Sequence, residues 1–352
     1  MKQIDMSQYG LNDRFMSEAA AFKNLFIGRI VSQEKGVYHV VCDNGKMIAE
    51  ISGKLRYEAK SPSDFPAVGD FVMLDRDNST WGNAIIQNIL HRKSVFVRKA
   101  VGNSKEEQVV ATNIDKVFIC MSLNNDFNLR RLERYLSLAW DSNALPVVVL
   151  TKADLCDNLQ RRLFAVDSVA LGADVLVTTS MEEDGYKEVS QYIQPGHTVA
   201  VIGSSGVGKS TLINHLIGEE KLATKEICKD DRGRHMTTRR ELFLLSGGGV
   251  IIDTPGMREV GMWDMSEGFE NSFSDVESFF GNCKFHNCTH TSEPGCGIYE
   301  AIAQGQLSPK RWRSYQKLKT EAAFADNKDD YLSEKKKRFK NIAKINKVNR
   351  KH

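Results

Sequence analysis

Residues Gly203-Ser204-Ser205-Gly206-Val207-Gly208-Lys209-Ser210 follow an apolar run, VAVI, and precede a helical one, in the pattern GxxxxGK[ST]. Glycines at this spacing let successive backbone N–H groups curl around an anion, and the helix that follows adds the positive end of its dipole. Such a loop suits the phosphates of a nucleotide. Lys209 should reach the β- and γ-phosphates, Ser210 should ligate Mg²⁺, and Thr211 is placed to hydrogen-bond the α-phosphate. Farther along, Asp253 ends the apolar run of GVIIDTPGM, where a carboxylate can hold Mg²⁺ through water, and Gly256 can give its N–H to a γ-phosphate. Between the two lies Gly233-Arg234-His235-Met236-Thr237-Thr238, in a stretch too polar for a core. Thr237 or Thr238 can complete the Mg²⁺ shell once a γ-phosphate is present, which makes the stretch an ordering switch. Its bland alternative is the start of a solvated edge strand.

Thr151-Lys152-Ala153-Asp154 stands just past another apolar run, LPVVVL. A carboxylate there can accept both the ring N–H and the exocyclic amine of guanine, a donor pair that adenine lacks, while the Lys152 stem packs on the base. A further run, DVLVTTS, ends at Thr179 and Ser180, where a backbone N–H can meet the guanine carbonyl oxygen. The base motif thus precedes the phosphate loop, the reverse of the usual GTPase order. A parallel sheet keeps its site geometry when old termini are joined and new ones opened, provided those ends lie close together. The order therefore predicts a circularly permuted GTPase domain whose Asp253 segment runs directly into the C-terminal region. Met257 stands where many GTPases carry a water-orienting glutamine. An apolar side chain cannot align the attacking water, so slow intrinsic hydrolysis is expected, with His235 the nearest candidate for the missing group beside Lys209, Thr237 and Thr238.

GNCKFHNCTHTSEPGCG holds Cys283, Cys288 and Cys296 together with His286 and His290. Three thiolates and one imidazole would close a four-coordinate structural zinc site, one per chain, with no position left for water. The residues alone leave His286 and His290 as rivals for the fourth ligand. The other cysteines are scattered, the total of seven is odd, and no disulfide framework is expected.

The elements that must position these groups follow from length and pattern. A chain of 352 residues at about 150 residues per domain has two to three domains. With 41% hydrophobic and 26% charged residues it reads as soluble and globular. No apolar run approaches the roughly 18 residues of a membrane span, and MKQIDMSQYGLNDRF lacks the apolar stretch of a signal peptide. A cytoplasmic protein with no membrane partner is expected. After an N-terminal extension, 1–24, six short strands separated by Gly, Asn, Asp and Pro over 25–99 predict a small all-β barrel or sandwich. Strands then alternate with helices over 100–264, the rhythm of a parallel sheet with crossover helices on both faces. A cysteine module over 265–318 and a basic helical tail over 319–352 complete a multidomain α/β chain. The net charge of +3 is uneven, because Leu307–His352 carries 15 Lys+Arg against 5 Asp+Glu. In that tail Phe339, Ile342, Ile345 and Val348 recur every three residues, so a helix there would present an apolar strip flanked by lysines.

This motif order, the GRH-x-TT stretch and the C-x₄-C-x-H-x₅-C spacing together resemble the RsgA family of small-ribosomal-subunit-dependent GTPases, over about Leu25 to Tyr315. The resemblance implies an OB-fold for the barrel and His290 as the fourth zinc ligand. It also implies GTP hydrolysis stimulated by the small ribosomal subunit, a role in that subunit's late maturation, contact with its rRNA, and a monomer that binds GTP and GDP with Mg²⁺. Barrel charge alone would not indicate nucleic acid, since the first hundred residues hold 14 Lys+Arg against 11 Asp+Glu. Two positions depart from common GTPase patterns: Thr151 replaces the usual Asn of the base motif, and Gly206 occupies the loop position where potassium-dependent GTPases hold Asn. Two other readings compete. One is an ATPase or kinase, which the TKAD motif opposes. The other is a zinc- and OB-based nucleic-acid-binding protein that uses nucleotide only as a sensing clamp, which Met257 favours and intact Lys209, Ser210 and Asp253 oppose.

Overall fold

Met6, Tyr9 and Phe15 sit in a segment with no strand alternation, yet all three are buried. They belong to the N-terminal extension, where helix α1 (Asp13–Ala19) starts at Asn12, whose side chain accepts the Phe15 N–H. In this computed structural model the Phe15 ring lies 4.3 Å from the Phe71 ring, so the extension is part of the core. The structure describes residues 3–34, 36–78, 80, 82–99, 107–182, 184–219, 222, 240–253, 272–285, 288–290 and 293–326. The chain divides into two units, Met1–Val260 and Gly261–His352.

Strands β1 (Phe26–Glu34), β2 (Val37–Cys42) and β3 (Gly45–Ile51) form a meander, with Met47 and Ala49 of β3 turned inward and Lys46 and Glu50 outward. Such alternation is what a sheet wet on one face requires. Helix α2 (Gly53–Glu58) follows, capped by the Ser52 hydroxyl, and then β4 (Phe71–Leu74) and β5 (Ala84–Ile89). The pairing β1-β2-β3-β5-β4 returns from β4 to β1, with β3 and β5 parallel and the other pairs antiparallel. This is a closed five-stranded barrel of OB type. The sixth expected strand, β6 (Val95–Lys99), is not a stave: it pairs with β7 (Glu107–Thr112) in a separate ribbon. Closure through β1–β4 leaves β6 no barrel edge to join.

The remainder of this unit is a second sheet system. Its elements are β8 (Lys116–Ser122), α3 (Leu129–Asp141), β9 (Leu145–Thr151), α4 (Leu159–Asp167), β10 (Asp174–Val177), α5 (Lys187–Gln191), β11 (Thr198–Gly203), α6 (Lys209–Ile217), β12 (Glu241–Leu244) and β13 (Val250–Asp253). Strands β8, β9, β11 and β13 are buried almost throughout, as strands covered on both faces must be. Period two sorts their side chains: Val117, Ile119 and Met121 pack in one core with Leu132, Leu136 and Val166, whereas Phe118 and Cys120 pack in another with Val189, Leu212 and Ile213. Helices α3 and α4 therefore cover one face and α5 and α6 the other.

Strand order is β10-β9-β8-β11-β13-β12. The chain lays β8, β9 and β10 outward, then returns to the centre with β11. That return sets a topological switch point between β8 and β11, where ligands of such sheets bind. One strand departs from the parallel expectation: β12 runs antiparallel to β13, and its Glu241 also pairs with Ser32 of β1.

Arg29 joins the barrel to this sheet. Fully buried, it donates from Nε to the Gly69 carbonyl at 3.2 Å, from Nη2 to Thr198 Oγ1 at 2.8 Å, and from Nη1 to the Tyr9 carbonyl. Burial pushes its pKa down to about 10, opposed by Asp115 and Asp70, so it stays charged near neutrality. Asp115 in turn accepts the Thr198 N–H at 2.8 Å and pairs with Lys93 at 2.5 Å. Arg29→Met should leave the buried Tyr9 carbonyl and Thr198 hydroxyl without this donor, while the Gly69 carbonyl keeps its bond from Asn113 Nδ2 at 3.0 Å, and lower unfolding stability by about 3 kcal/mol. A urea midpoint within error of the wild type would show that the joint contributes nothing.

The second unit has a small core of Phe273, Val276, Ile298, Ala301, Leu307, Trp312, Tyr315 and Leu318. Helices α7 (Ser274–Glu277), α8 (Gly297–Ala303) and α9 (Pro309–Asp326) supply most of it. Arg311 pairs with Asp275 at 2.9 Å and lies over the Phe273 ring. The strip from Phe339 to Val348 lies outside the described residues. Among the described residues, no helix is long and apolar enough to cross a membrane.

Candidate nucleotide and metal sites

Strand β11 ends at Gly203, where a side chain is impossible: a Cβ would lie 2.4 Å from the Cys120 carbonyl oxygen. Gly206 and Gly208 then take left-handed φ of 76° and 98°, and α6 begins at Lys209, with Ser210 and Thr211 in its first turn. The glycines thus make a reversal that ends on a helix N-terminus, the geometry an anion needs. Ser205 and Gly206 are exposed at the tip, while Val207 is buried beneath it. The Lys209 ammonium folds back over the loop and donates to the Gly203 carbonyl at 2.7 Å and to that of Ser204. Asp253 ends the neighbouring strand, in register with Val201 of β11 and nearly buried.

The residues expected to hold the base meet this loop from β9, more than fifty positions earlier in the chain. Thr151 Oγ1 donates to the Val207 carbonyl at 2.5 Å, and Lys152 Nζ donates to that of Gly206 at 2.7 Å. Thr151, which stands where Asn is commoner, is therefore tied to the loop through its hydroxyl. Lys152 has a left-handed φ of 58° that turns the chain into the exposed Asp154. Thr179 Oγ1 donates to Asp154 Oδ1 at 2.7 Å and orients that carboxylate. Ser180 lies near the buried Tyr186, whose ring centroid is 4.5 Å from that of His215 on α6.

Two residues with no part in these motifs also reach the loop. Arg131 of α3 bonds Ser204 Oγ and pairs with Asp126 at 2.9 Å, and Tyr135 lies beside the same serine. The only sequence signal for them is an acid and an arginine five apart astride a helix start. Gly233–Thr238, with His235, Thr237 and Thr238, and also Gly256 and Met257, lie outside the described residues.

In the second unit the donor atoms of Cys283, Cys288, His290 and Cys296 all lie within 4.8 Å of one another, a group that could hold a metal ion. His290 has a left-handed φ of 58° and presents Nδ1 to the sulfurs of Cys283 and Cys296, at 3.5 Å from each. Phe280 stacks on the imidazole with centroids 4.4 Å apart, and the Gly297 N–H donates to the Cys283 sulfur. Desolvation, with hydrogen bonding to the neighbouring sulfurs, pushes the Cys288 thiol up to about 11. A dication at the same point would reverse that preference and draw the protons off. His286, the rival fourth ligand, lies outside the described residues.

A glycine-rich loop at the switch point of a sheet whose base-site strand precedes its loop strand, behind a closed five-stranded barrel, defines a circularly permuted P-loop GTPase. The RsgA GTPase family profile matches residues 89–263, and the chain belongs to that family of GTP-hydrolysing enzymes. A protein of Lactiplantibacillus plantarum named small ribosomal subunit biogenesis GTPase RsgA 2 is 47% identical over 324 residues, covering 91% of this chain and 90% of its own. The crystal structure of YjeQ from Thermotoga maritima superposes with a TM-score of 0.61 at 24% identity, over 84% of this chain and 97% of that one. YloQ, described as a circularly permuted GTPase, gives 0.59 at 23%, over 85% and 95%. At such identities the two structures speak for the fold alone.

Proposed function

We propose that this enzyme hydrolyses GTP on the small ribosomal subunit during that subunit's late maturation, in the cytoplasm and as a monomer, with the subunit and its rRNA as partners. One observation carries the nucleotide reading: Thr151 and Lys152 donate to consecutive phosphate-loop carbonyls, which brings the base motif and the loop together across the switch point. Asp154, oriented by Thr179, takes the two guanine donors, and the Ser180 N–H meets the guanine carbonyl. Backbone N–H groups of the Gly203–Ser210 loop cradle the phosphates, with Lys209 neutralising charge and Thr211 on the α-phosphate. Ser210, Asp253 through water, and Thr237 or Thr238 would hold Mg²⁺, which would supply neutralising charge to the phosphates when bound. Gly256 contacts the γ-phosphate, and His235 orients the water that Met257 cannot.

The subunit reading rests on relatives named for small ribosomal subunit biogenesis. It is tested by measuring hydrolysis with and without purified small subunits. Slow turnover alone, strongly raised by subunits, is expected, and equal rates would favour the sensing clamp. Asp154→Asn should lower GTP affinity on the order of 10²–10⁴-fold and gain xanthine nucleotides, because an amide can donate to the carbonyl that replaces the exocyclic amine. Unchanged GTP selectivity would remove Asp154 from the base site.

For the metal we propose zinc. A Zn–S bond of about 2.3 Å and a Zn–N bond of about 2.0 Å at a tetrahedral angle span about 3.5 Å, and the two sulfur–nitrogen separations are 3.5 Å. Four protein donors leave no open position, so the site is structural.

A further inference from the structure

Helix α3 carries a polar group that no nucleotide motif uses. Asn124 Oδ1 accepts the Ser122 hydroxyl at 2.9 Å and the Asp126 N–H at 3.0 Å, which fixes the turn leaving β8. Asp126 then accepts Arg131 Nη1 on both carboxylate oxygens, at 3.0 and 2.9 Å, and Nη2 on Oδ1 at 3.1 Å. So held, Nη1 reaches Ser204 Oγ, 73 residues away in sequence. Tyr135, one helical turn on and 4% exposed, lies beside the same serine. A cavity of about 10 Å³ lies among these side chains and Val207, just enough for one water.

The arrangement bears on what Lys209 must do. Its ammonium donates to the Gly203 and Ser204 carbonyls, and reaching the phosphates draws on the same three N–H donors. The first turn of the loop would then be braced less firmly from within at the moment its N–H groups must stay aligned. We propose that Arg131 is a positioning residue for nucleotide binding: oriented by Asp126 and aided by Tyr135, it anchors the phosphate loop to α3 through Ser204. The proposal rests on the reading of Gly203–Ser210 as the phosphate site. The competing view is an ordinary surface ion pair, since the Arg131 and Asp126 side chains are 32% and 42% exposed, and such pairs contribute little.

The test is a double-mutant cycle on the full chain, with GDP and GTP affinities by calorimetry and steady-state turnover with small subunits. Arg131→Ala should raise both Kd values about tenfold and KM with them, as loss of a charged hydrogen bond implies, with turnover at saturating GTP within about twofold. Ser204→Ala should raise both Kd values and KM likewise, and the double variant should be no worse than the more affected single one. Arg131→Lys, which keeps one N–H donor, should recover part of the loss. A nucleotide affinity unchanged in Arg131→Ala, or effects of Arg131→Ala and Ser204→Ala that simply add, would overturn the proposal. Should Arg131→Ala not fold, Ser204→Ala carries the test, because it removes only the hydroxyl: unchanged affinities there overturn it equally. Lys209→Ala separates the two levels. Normal nucleotide binding in that variant removes the phosphate site itself, whereas lost binding there with a silent Arg131→Ala removes only the anchor.

Discussion

Cys283→Ser, or prolonged chelation of the full chain, should unfold the C-terminal unit while the barrel and GTPase sheet stay folded. Among the described residues the buried apolar groups of that unit are few, centred on Phe273, Ile298, Trp312 and Tyr315. A core this small does not by itself offset the conformational entropy of its chain. The donors converge on its edge: Cys296 and Cys283 pack with that core, and His290 lies under Phe280 with Trp312 edge-on at 6.0 Å. Structural zinc contributes on the order of 10 kcal/mol in comparable small modules, more than the whole stability of a typical domain of this size. Hydrogen exchange should therefore become fast throughout residues 272–318 and stay slow in 116–122 and 198–203. Trp312 fluorescence should shift at the same time, and GTP binding should persist. Elemental analysis finding no zinc in protein with reduced thiols, or a folded C-terminal unit in Cys283→Ser, would count decisively against the structural site.

Lys209→Ala should abolish most activity with little change in fold. The ammonium braces two carbonyls of the exposed loop, so the cost falls mainly on the nucleotide. A positioned cation on the phosphates acts where negative charge develops in the transition state, and loss of a single such donor costs on the order of 10²–10³-fold in turnover. Subunit-stimulated hydrolysis should fall by at least that factor, and the melting temperature without nucleotide should stay near that of the wild type. Near-normal stimulated turnover would refute the phosphate-loop assignment.

Much of this protein was legible in one dimension because the signals are local. The phosphate loop needs glycines at fixed offsets between a strand and a helix, and α6 begins at Lys209 as the pattern predicts. Likewise the Cys/His cluster spans only Cys283 to Cys296, so spacing brings its donors within reach, although the residues alone leave His286 and His290 as rivals for the fourth place. Five barrel strands and the buried strands of the parallel sheet follow from period-two alternation and from short apolar runs. What stayed hidden depends on partners distant in sequence. That β6 leaves the barrel follows from closure between β4 and β1, and the antiparallel β12 follows from which sheet edge was free. Thr151 reaches Val207 across 56 residues and Arg131 reaches Ser204 across 73, contacts that exist only because β8, β9 and β11 lie side by side. Arg29 reads in sequence as one more outward charge on a strand, and only the meeting of Tyr9, Gly69 and Thr198 around it makes it a buried joint. Residue type and spacing determined which chemistry this chain can do. The order of the strands decided which side chains hold that chemistry in place, since hydrogen bonds form between neighbours in space and a local pattern carries no record of them.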